Sequence, residues 1–252
     1  MRIGIITGAS SGIGREYVYA IDKEFDLDEI WVIARRKERL EELQAHCKTK
    51  LRPLALDLGT EDSWNAYKTL LEEIKPTIEV LINGAGFGVF GAFAQTDLDK
   101  QLKMIDLNAK ALTAISHISL PYMQKGSHLI NVASNSSWQP VPYINVYGST
   151  KAYVLNFSRA LGVELKKRGI HVMAVAPHWI KTEFFEHAVQ DDTIQYYDRF
   201  YTAKQVVDKT MKDLKRNKTV SILGFPVQAQ VLLVKLLPAK LVMWIWCKQQ
   251  KK

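Results

Sequence analysis

Short apolar runs, several of them unbroken, alternate along this chain with longer amphipathic stretches, and no other feature restricts the fold so strongly. Residues 3–7, 30–34, 53–58, 80–83, 128–134, 171–176 and 219–223 read as strands. An unbroken apolar run suits a strand buried on both faces. The segments between them read as helices, clearest at residues 36–48, rich in Glu, Leu, Arg and Lys, and at residues 151–168, closed by Gly169. A glycine there supplies the left-handed residue that ends a helix. Strand alternating with helix implies right-handed crossovers and helices on both faces of a mostly parallel sheet, so the expectation is an α/β, doubly wound, seven-stranded domain. With 252 residues, 47% of them apolar, the chain can bury such a core. No repeat, low-complexity tract or linker divides it, so one domain over residues 1–252 is expected.

Ligands of doubly wound sheets sit beyond the carboxyl ends of the strands. The first strand runs into Thr7-Gly8-Ala9-Ser10-Ser11-Gly12-Ile13-Gly14, and a helix opens at Arg15. Glycines let the backbone turn sharply and approach a pyrophosphate, and the amides and dipole of a new helix favour its negative charge. Gly8, Ser10, Ser11, Gly12, Ile13 and Gly14 are therefore candidate dinucleotide-binding residues of a Rossmann-type domain.

The Thr-Gly-x-x-x-Gly-x-Gly spacing resembles the short-chain dehydrogenase/reductase family, hydroxysteroid dehydrogenases included, and the further motifs follow in order over residues 3–182. Asp57 and Leu58 follow the third strand, Asn83-Gly84-Ala85-Gly86 stands where the family usually has Asn-Asn-Ala-Gly, Asn108 lies in the next helix, Ser134 ends the fifth strand, and Tyr147 and Lys151 give Tyr-x-x-x-Lys. The resemblance implies a catalytic set of Asn108, Ser134, Tyr147 and Lys151. It also implies cofactor contacts from Asp57, Leu58, Asn83, Gly84, Ala85, Tyr147, Lys151, Pro177, Ile180 and Thr182. It assigns Lys151 a hydrogen bond to the nicotinamide ribose and Asn108 a water leading from Lys151 to solvent. Two residues depart from the pattern: Gly84 replaces the second Asn, expected to be mild, and His178 replaces the usual Gly, which questions the backbone shape there.

Chemistry supports the same residues. A carbonyl receiving a hydride needs a proton donor at its oxygen, and a phenol with an ordinary pKa near ~10 gives up its proton reluctantly. Lys151, four residues beyond Tyr147 on one helix face, is placed to favour the phenolate and lower that pKa. Ser134 would donate to the substrate oxygen. An isolated Tyr/Lys pair at this spacing is usually an ordinary surface pair; the ordered set of motifs argues otherwise.

The second strand ends in Ala34-Arg35-Arg36, with no carboxylate to repel a 2′-phosphate and two guanidinium groups to clasp one, so NADP(H) is expected over NAD(H). The plain alternative is that these arginines start a solvated helix. Residues 183–200 are the expected substrate loop. Phe87, Trp138, Tyr143, His178, Trp179 and Phe184 are the candidate substrate contacts, within a wider set (Val89, Phe90, Phe185, Tyr196 and Tyr197) that also includes core residues. Their character suits a hydrophobic alcohol or ketone: a steroid, bile acid, lipid ketone or retinoid-like compound. A non-catalytic NADP(H) sensor is the alternative class, which loss of Tyr147 or Lys151 would mark. A nucleotide-sugar epimerase would need a longer substrate domain.

Residues 1–200 carry 23 basic against 24 acidic side chains, whereas residues 201–252 carry 11 against 2. The excess lies in the tail, so no nucleic-acid-binding face is expected. Cys47 and Cys247 stand alone, which indicates neither a disulfide framework nor a metal site and fits a reducing compartment. The first strand begins at once, leaving no room for a secretory signal; a cytoplasmic protein is expected. The basic, apolar extension 225–252 is interrupted by Lys235, Pro238 and Lys240, against a membrane span. It is expected to pack over the substrate loop or another subunit, with peripheral membrane contact as the rival. The apolar and small residues of 98–123 suit a homodimer or homotetramer.

Overall fold

The computed structural model describes residues 1–189 and 191–252. In chain order the elements are β1 (Arg2–Thr7), α1 (Gly12–Glu24), β2 (Glu29–Ala34), α2 (Lys37–Glu41), β3 (Lys50–Ala55), α3 (Glu61–Ile74), β4 (Thr77–Asn83), α4 (Leu98–Ile105), α5 (Leu112–Ser119), β5 (Met123–Val132), α6 (Asn145–Glu164), β6 (His171–Val175), β7 (Trp179–Lys181), α7 (Phe184–Ala188), β8 (Phe200–Thr202), α8 (Ala203–Leu214), β9 (Val220–Ser221), α9 (Phe225–Leu236) and α10 (Ala239–Gln249). A π-type turn, Asp106–Ala111, joins α4 to α5.

Seven strands form one sheet in the order β3-β2-β1-β4-β5-β6-β9, every pair parallel. The sheet is thus wholly parallel, and a second small parallel pair, β7 with β8, lies outside it. Alternation along β1 divides the core. Ile3 and Ile5 pack with Tyr67 and Leu71 of α3 and Ile115 of α5; Ile6 packs with Val18 and Ile21 of α1 and Val206 and Met211 of α8. That two-sided burial is why the central strands lack a polar face.

The third strand differs from expectation: it spans residues 50–55 rather than 53–58 and releases Asp57 and Leu58 into the loop above the sheet. As the edge strand it tolerates Pro53, which has no amide to donate. Its start is anchored by Glu29, whose buried carboxylate accepts from Arg52 Nε at 2.7 Å, Lys50 Nζ at 2.7 Å and Trp31 Nε1 at 3.2 Å. The Arg52 bond foremost, offset in part by burial, holds the Glu29 carboxyl down at about 2.

Candidate active site

Beyond the carboxyl ends of β1, β2, β4, β5 and β6 lies a cleft of about 710 Å³. Its base is the glycine turn. Gly8 and Gly12 adopt positive φ of 72° and 53°, and a Cβ on Gly14 would stand 2.1 Å from the Gly8 carbonyl oxygen, so only glycine lets α1 start against the turn. No side chain caps the first amides of α1, and no acidic residue sits in its first turn. Uncapped amides at the head of a 13-residue helix, bordered by glycines, suit a dinucleotide pyrophosphate.

Gly8, Ser10, Ser11, Gly12, Ile13, Gly14, Arg35, Arg36, Asp57, Leu58, Gly84, Ala85, Pro177, Ile180 and Thr182 all line the cleft. Asn83 does not: it is the last residue of β4, and its side chain points into the protein, donating to Ser116 Oγ and Asn131 Oδ1 at 2.9 Å each. The loop after it is pinned instead by Thr7 Oγ1, which accepts from the amides of Gly84 and Ala85 at 3.1 Å. Gly84 suits this closeness, since a Cβ there would come within 2.9 Å of the Thr7 carbonyl oxygen.

Ser134, Tyr147 and Lys151 meet at the cleft's centre. Ser134 lies two residues past β5 and caps a short turn, its hydroxyl accepting from the Ser136 amide at 3.2 Å. Tyr147 and Lys151 project from one face of α6, with the Lys151 ammonium 5.8 Å from the phenol ring centre. Asn108 sits behind them within the π-type turn. Its Oδ1 accepts from the Phe87 amide at 3.0 Å, and its Nδ2 donates to the Phe87 carbonyl at 2.9 Å and to Thr150 Oγ1 at 3.1 Å. These bonds tie the loop bearing Phe87 to α6. The widened turn presents Asn108 inward, as such turns do at functional sites.

The electrostatics differ from the expected phenolate. Burial pushes Tyr147 up to about 12, and only the hydrogen bond with Ser134 acts in the other direction. Burial pulls Lys151 down to about 8. The ammonium lies over the ring and donates to the Val132 carbonyl at 2.8 Å rather than facing the phenol oxygen. Both charged forms lack water, so desolvation outweighs mutual attraction.

The Lys151 pKa is lower folded than unfolded, so between about 8 and the ordinary 10.5 the unfolded chain binds more protons and stability rises with pH. Below that window the buried ammonium is a cost. Lys151→Met, measured without cofactor near neutral pH, is expected to stabilise the fold by about 2 kcal/mol, the charge penalty exceeding the lost bond to Val132, and to flatten the alkaline rise. Thermal unfolding at several pH values checks this.

The aromatic candidates divide. Phe87, His178, Trp179 and Phe184 line the cleft, with Phe90, Phe185 and Tyr196. Phe184 and Phe90 stand 5.5 and 6.2 Å, centre to centre, from the Tyr147 ring. Trp138 does not reach the cleft: its ring lies between the Arg159 guanidinium at 4.5 Å and the Lys235 ammonium at 4.2 Å. Tyr143 also stands outside the lining. Its φ of 68° turns the chain before α6 and carries the ring toward the tail, under the Lys252 ammonium at 5.8 Å. Tyr197 packs behind the lining, and Val89 is buried outside it. Within the expected loop 183–200, residue 190 lies outside the described residues.

His178 needs no glycine-like backbone. Its side chain, 6% exposed, receives the Asn135 amide at Nδ1 (3.1 Å) and donates from Nε2 to Asp198 Oδ1 (2.6 Å). It thereby joins the Ser134 loop to the loop of residues 183–200.

One contributor has no signal in the sequence, and a second, the tail, is expected from the sequence to pack over residues 183–200 but not to line the cleft. Glu183, at the start of the loop of residues 183–200, accepts from Arg36 Nη1 at 3.0 Å and Arg39 Nη1 at 2.7 Å, while Arg36 Nη2 reaches Ser10 and Ser11 Oγ at 3.2 and 3.3 Å. The tail closes the far end of the cleft through Leu233, Val234, Leu237, Val242, Ile245 and Trp246. It is tied down by Trp246 Nε1 donating to the Pro142 carbonyl at 3.0 Å and by Gln250, which bonds the backbone of Gln195 and Tyr196. The expected packing over the substrate loop is present; the apolar positions of residues 227–246 were its only signal.

Comparison with known proteins gives this geometry its context. A short-chain dehydrogenase from Sphingobium yanoikuyae, solved in complex with NADPH, is similar at 28% identity and a TM-score of 0.80, covering 92% of each chain. Human very-long-chain 3-oxoacyl-CoA reductase is 29% identical over 189 residues, 71% of this chain and 59% of that protein. The chain thus spans less than two thirds of that relative's length. Sulfoacetaldehyde reductase 2 of Chromohalobacter salexigens is 33% identical over 192 residues, 72% of this chain and 74% of the relative. The family model described as short chain dehydrogenase matches residues 2–193. Since that match runs from β1 through α7 and takes in every residue that meets at the cleft's centre, the chain belongs to the short chain dehydrogenase family.

Proposed function

We propose that this protein is an NADP(H)-dependent oxidoreductase that interconverts a secondary alcohol and a ketone on a hydrophobic substrate, with Tyr147 as general acid and base. The observation that carries this reading is the division of one cleft: glycine amides, hydroxyls and two arginines at one end, aromatic and aliphatic side chains at the other, and Ser134, Tyr147 and Lys151 between them. Bound nicotinamide supplies the hydride. Tyr147 gives its proton to the forming alkoxide, Ser134 donates to the same oxygen, and Lys151 offsets the charge left on the phenol. Near neutral pH the phenol is protonated at its ordinary pKa and at its raised one alike, so the donating form is present. Asn108 and His178 serve as positioning residues.

NADP(H) is favoured because Ala34 leaves no carboxylate at the end of β2 and Arg36 already reaches the glycine turn. The lipid-like substrate class draws support from the name of the human relative. Leu98, Leu102 and Ile105 form an exposed apolar stripe on α4, beside exposed Tyr153 and Val163 of α6, which supports a homodimer, or a homotetramer through a second face. A cytoplasmic location goes with this reading.

The test is a substrate screen read by NADPH absorbance, spanning steroid, bile-acid and long-chain 3-oxo lipid ketones, small aliphatic ketones and sulfoacetaldehyde. The lowest KM values are expected with bulky apolar ketones; a clear preference for sulfoacetaldehyde or small ketones would overturn the substrate class.

A further inference from the structure

The two tail helices have an inner face that is accounted for and an outer face that is not. Val227, Val231 and Val242 are buried, and Trp246 and Gln250 anchor the tail as described. The outer side exposes Phe225 (82%), Leu236 (75%), Leu232 (62%), Trp244 (58%), Leu233 (55%), Leu241 (41%) and Ile245 (37%). So concentrated an apolar surface marks a contact site. Residues 225–252 also carry five lysines and no acidic residue. Among the described residues, none of Lys235, Lys240, Lys248 and Lys251 forms an ion pair with a carboxylate. Instead, Lys248 lies 5.0 Å over the exposed Trp244 ring, an aromatic–cation pairing suited to a headgroup layer.

Charge decides between occupants. In a symmetric pair of copies the same patch faces itself, bringing five lysines against five. An anionic lipid surface presents the opposite sign, and no helix among the described residues is long and apolar enough to cross a bilayer. We propose that α9 and α10 lie on the interface of an anionic membrane, apolar side chains among the headgroups and lysines against the phosphates. Leu233 and Ile245 belong both to the exposed face and to the lining of the cleft. The mouth of the cleft therefore opens onto the lipid, and an apolar substrate passes from bilayer to cleft without crossing water. This route rests on the substrate reading above; the docking surface does not.

The test is sedimentation of the full chain with vesicles of phosphatidylcholine alone or containing about one third phosphatidylglycerol, with no substrate present. Binding is expected only to the anionic vesicles and is expected to fall at least about tenfold between about 0.1 and 0.5 M salt. Leu236→Ser with Trp244→Ser should reduce it at least about tenfold, and Lys240→Gln with Lys251→Gln should lessen its salt dependence, with the melting temperatures of both variants unchanged. Equal sedimentation with and without vesicles, equal binding to neutral vesicles, or an unaffected Leu236/Trp244 variant would overturn the proposal. So would a concentration-dependent dimer in light scattering, lost in that variant and accompanied by no vesicle binding; it would give the face to a second copy. Because the assay uses no turnover, a wrong substrate class leaves its outcome untouched.

Discussion

Tyr147→Phe is expected to lower turnover by about 10²- to 10⁴-fold, the contribution of a positioned proton donor, while cofactor affinity changes by less than about threefold. The ring keeps its edge contact with Phe90 and its tilted contact with Phe184, so the cleft wall stays in place. What is lost is the hydroxyl proton and the partner of the Ser134 hydroxyl. Steady-state rates beside a fluorescence titration of NADPH separate the two effects. Turnover within a few-fold of the parent would remove Tyr147 from the chemistry; a parallel collapse of cofactor binding would instead report a damaged fold.

Changing Arg35 and Arg36 together to Ser is expected to raise the KM for NADPH at least about tenfold, about 1.4 kcal/mol, and to leave that for NADH nearly unchanged. Both residues line the cleft at the end of β2, and Arg36 is already held against Ser10 and Ser11 of the glycine turn. A 2′-phosphate there replaces hydroxyl partners with charge-assisted bonds. Adding Ala34→Asp should carry the preference to NADH, since a carboxylate accepts from the free ribose hydroxyl and repels the phosphate. Equal losses for both cofactors would mean that the substitutions had unsettled α2.

Much of this architecture is legible in the chain because its strands are buried on both sides: residues 3–7 and 30–34 show no polar alternation and coincide closely with β1 and β2, and residues 80–83 cover the C-terminal half of β4. Legibility fails where burial is partial. The edge strand β3 mixes exposed and buried positions, so the apolar signal is displaced by three residues. The three-residue β7 and β8 are too short to show a period. Tyr147 and Lys151 are readable because four residues on a helix fix their relation, whatever the rest of the fold does. Trp138, Tyr143 and Asn83 are not, because composition marks a side chain as apolar or polar without saying which way it points. Trp138 turns to Arg159 and Lys235, and Asn83 turns into the sheet. The tail and Glu183 act across more than a hundred residues, as in Trp246 to Pro142 and Glu183 to Arg36, a relation that no local pattern encodes.

Glu183 bears on more than the geometry of one loop. It stands at the start of residues 183–200 and shares its carboxylate between Arg36 and Arg39, which follow β2. On the proposed reading, a 2′-phosphate at Arg36 would compete with that carboxylate and so link the two ends of the cleft thermodynamically. Any free energy by which substrate draws Glu183 away from Arg36 reappears as tighter phosphate binding, and phosphate binding favours the substrate-bound loop by the same factor. On the proposed reading, the arginines that would hold the 2′-phosphate thus also couple cofactor affinity to substrate affinity through a single carboxylate.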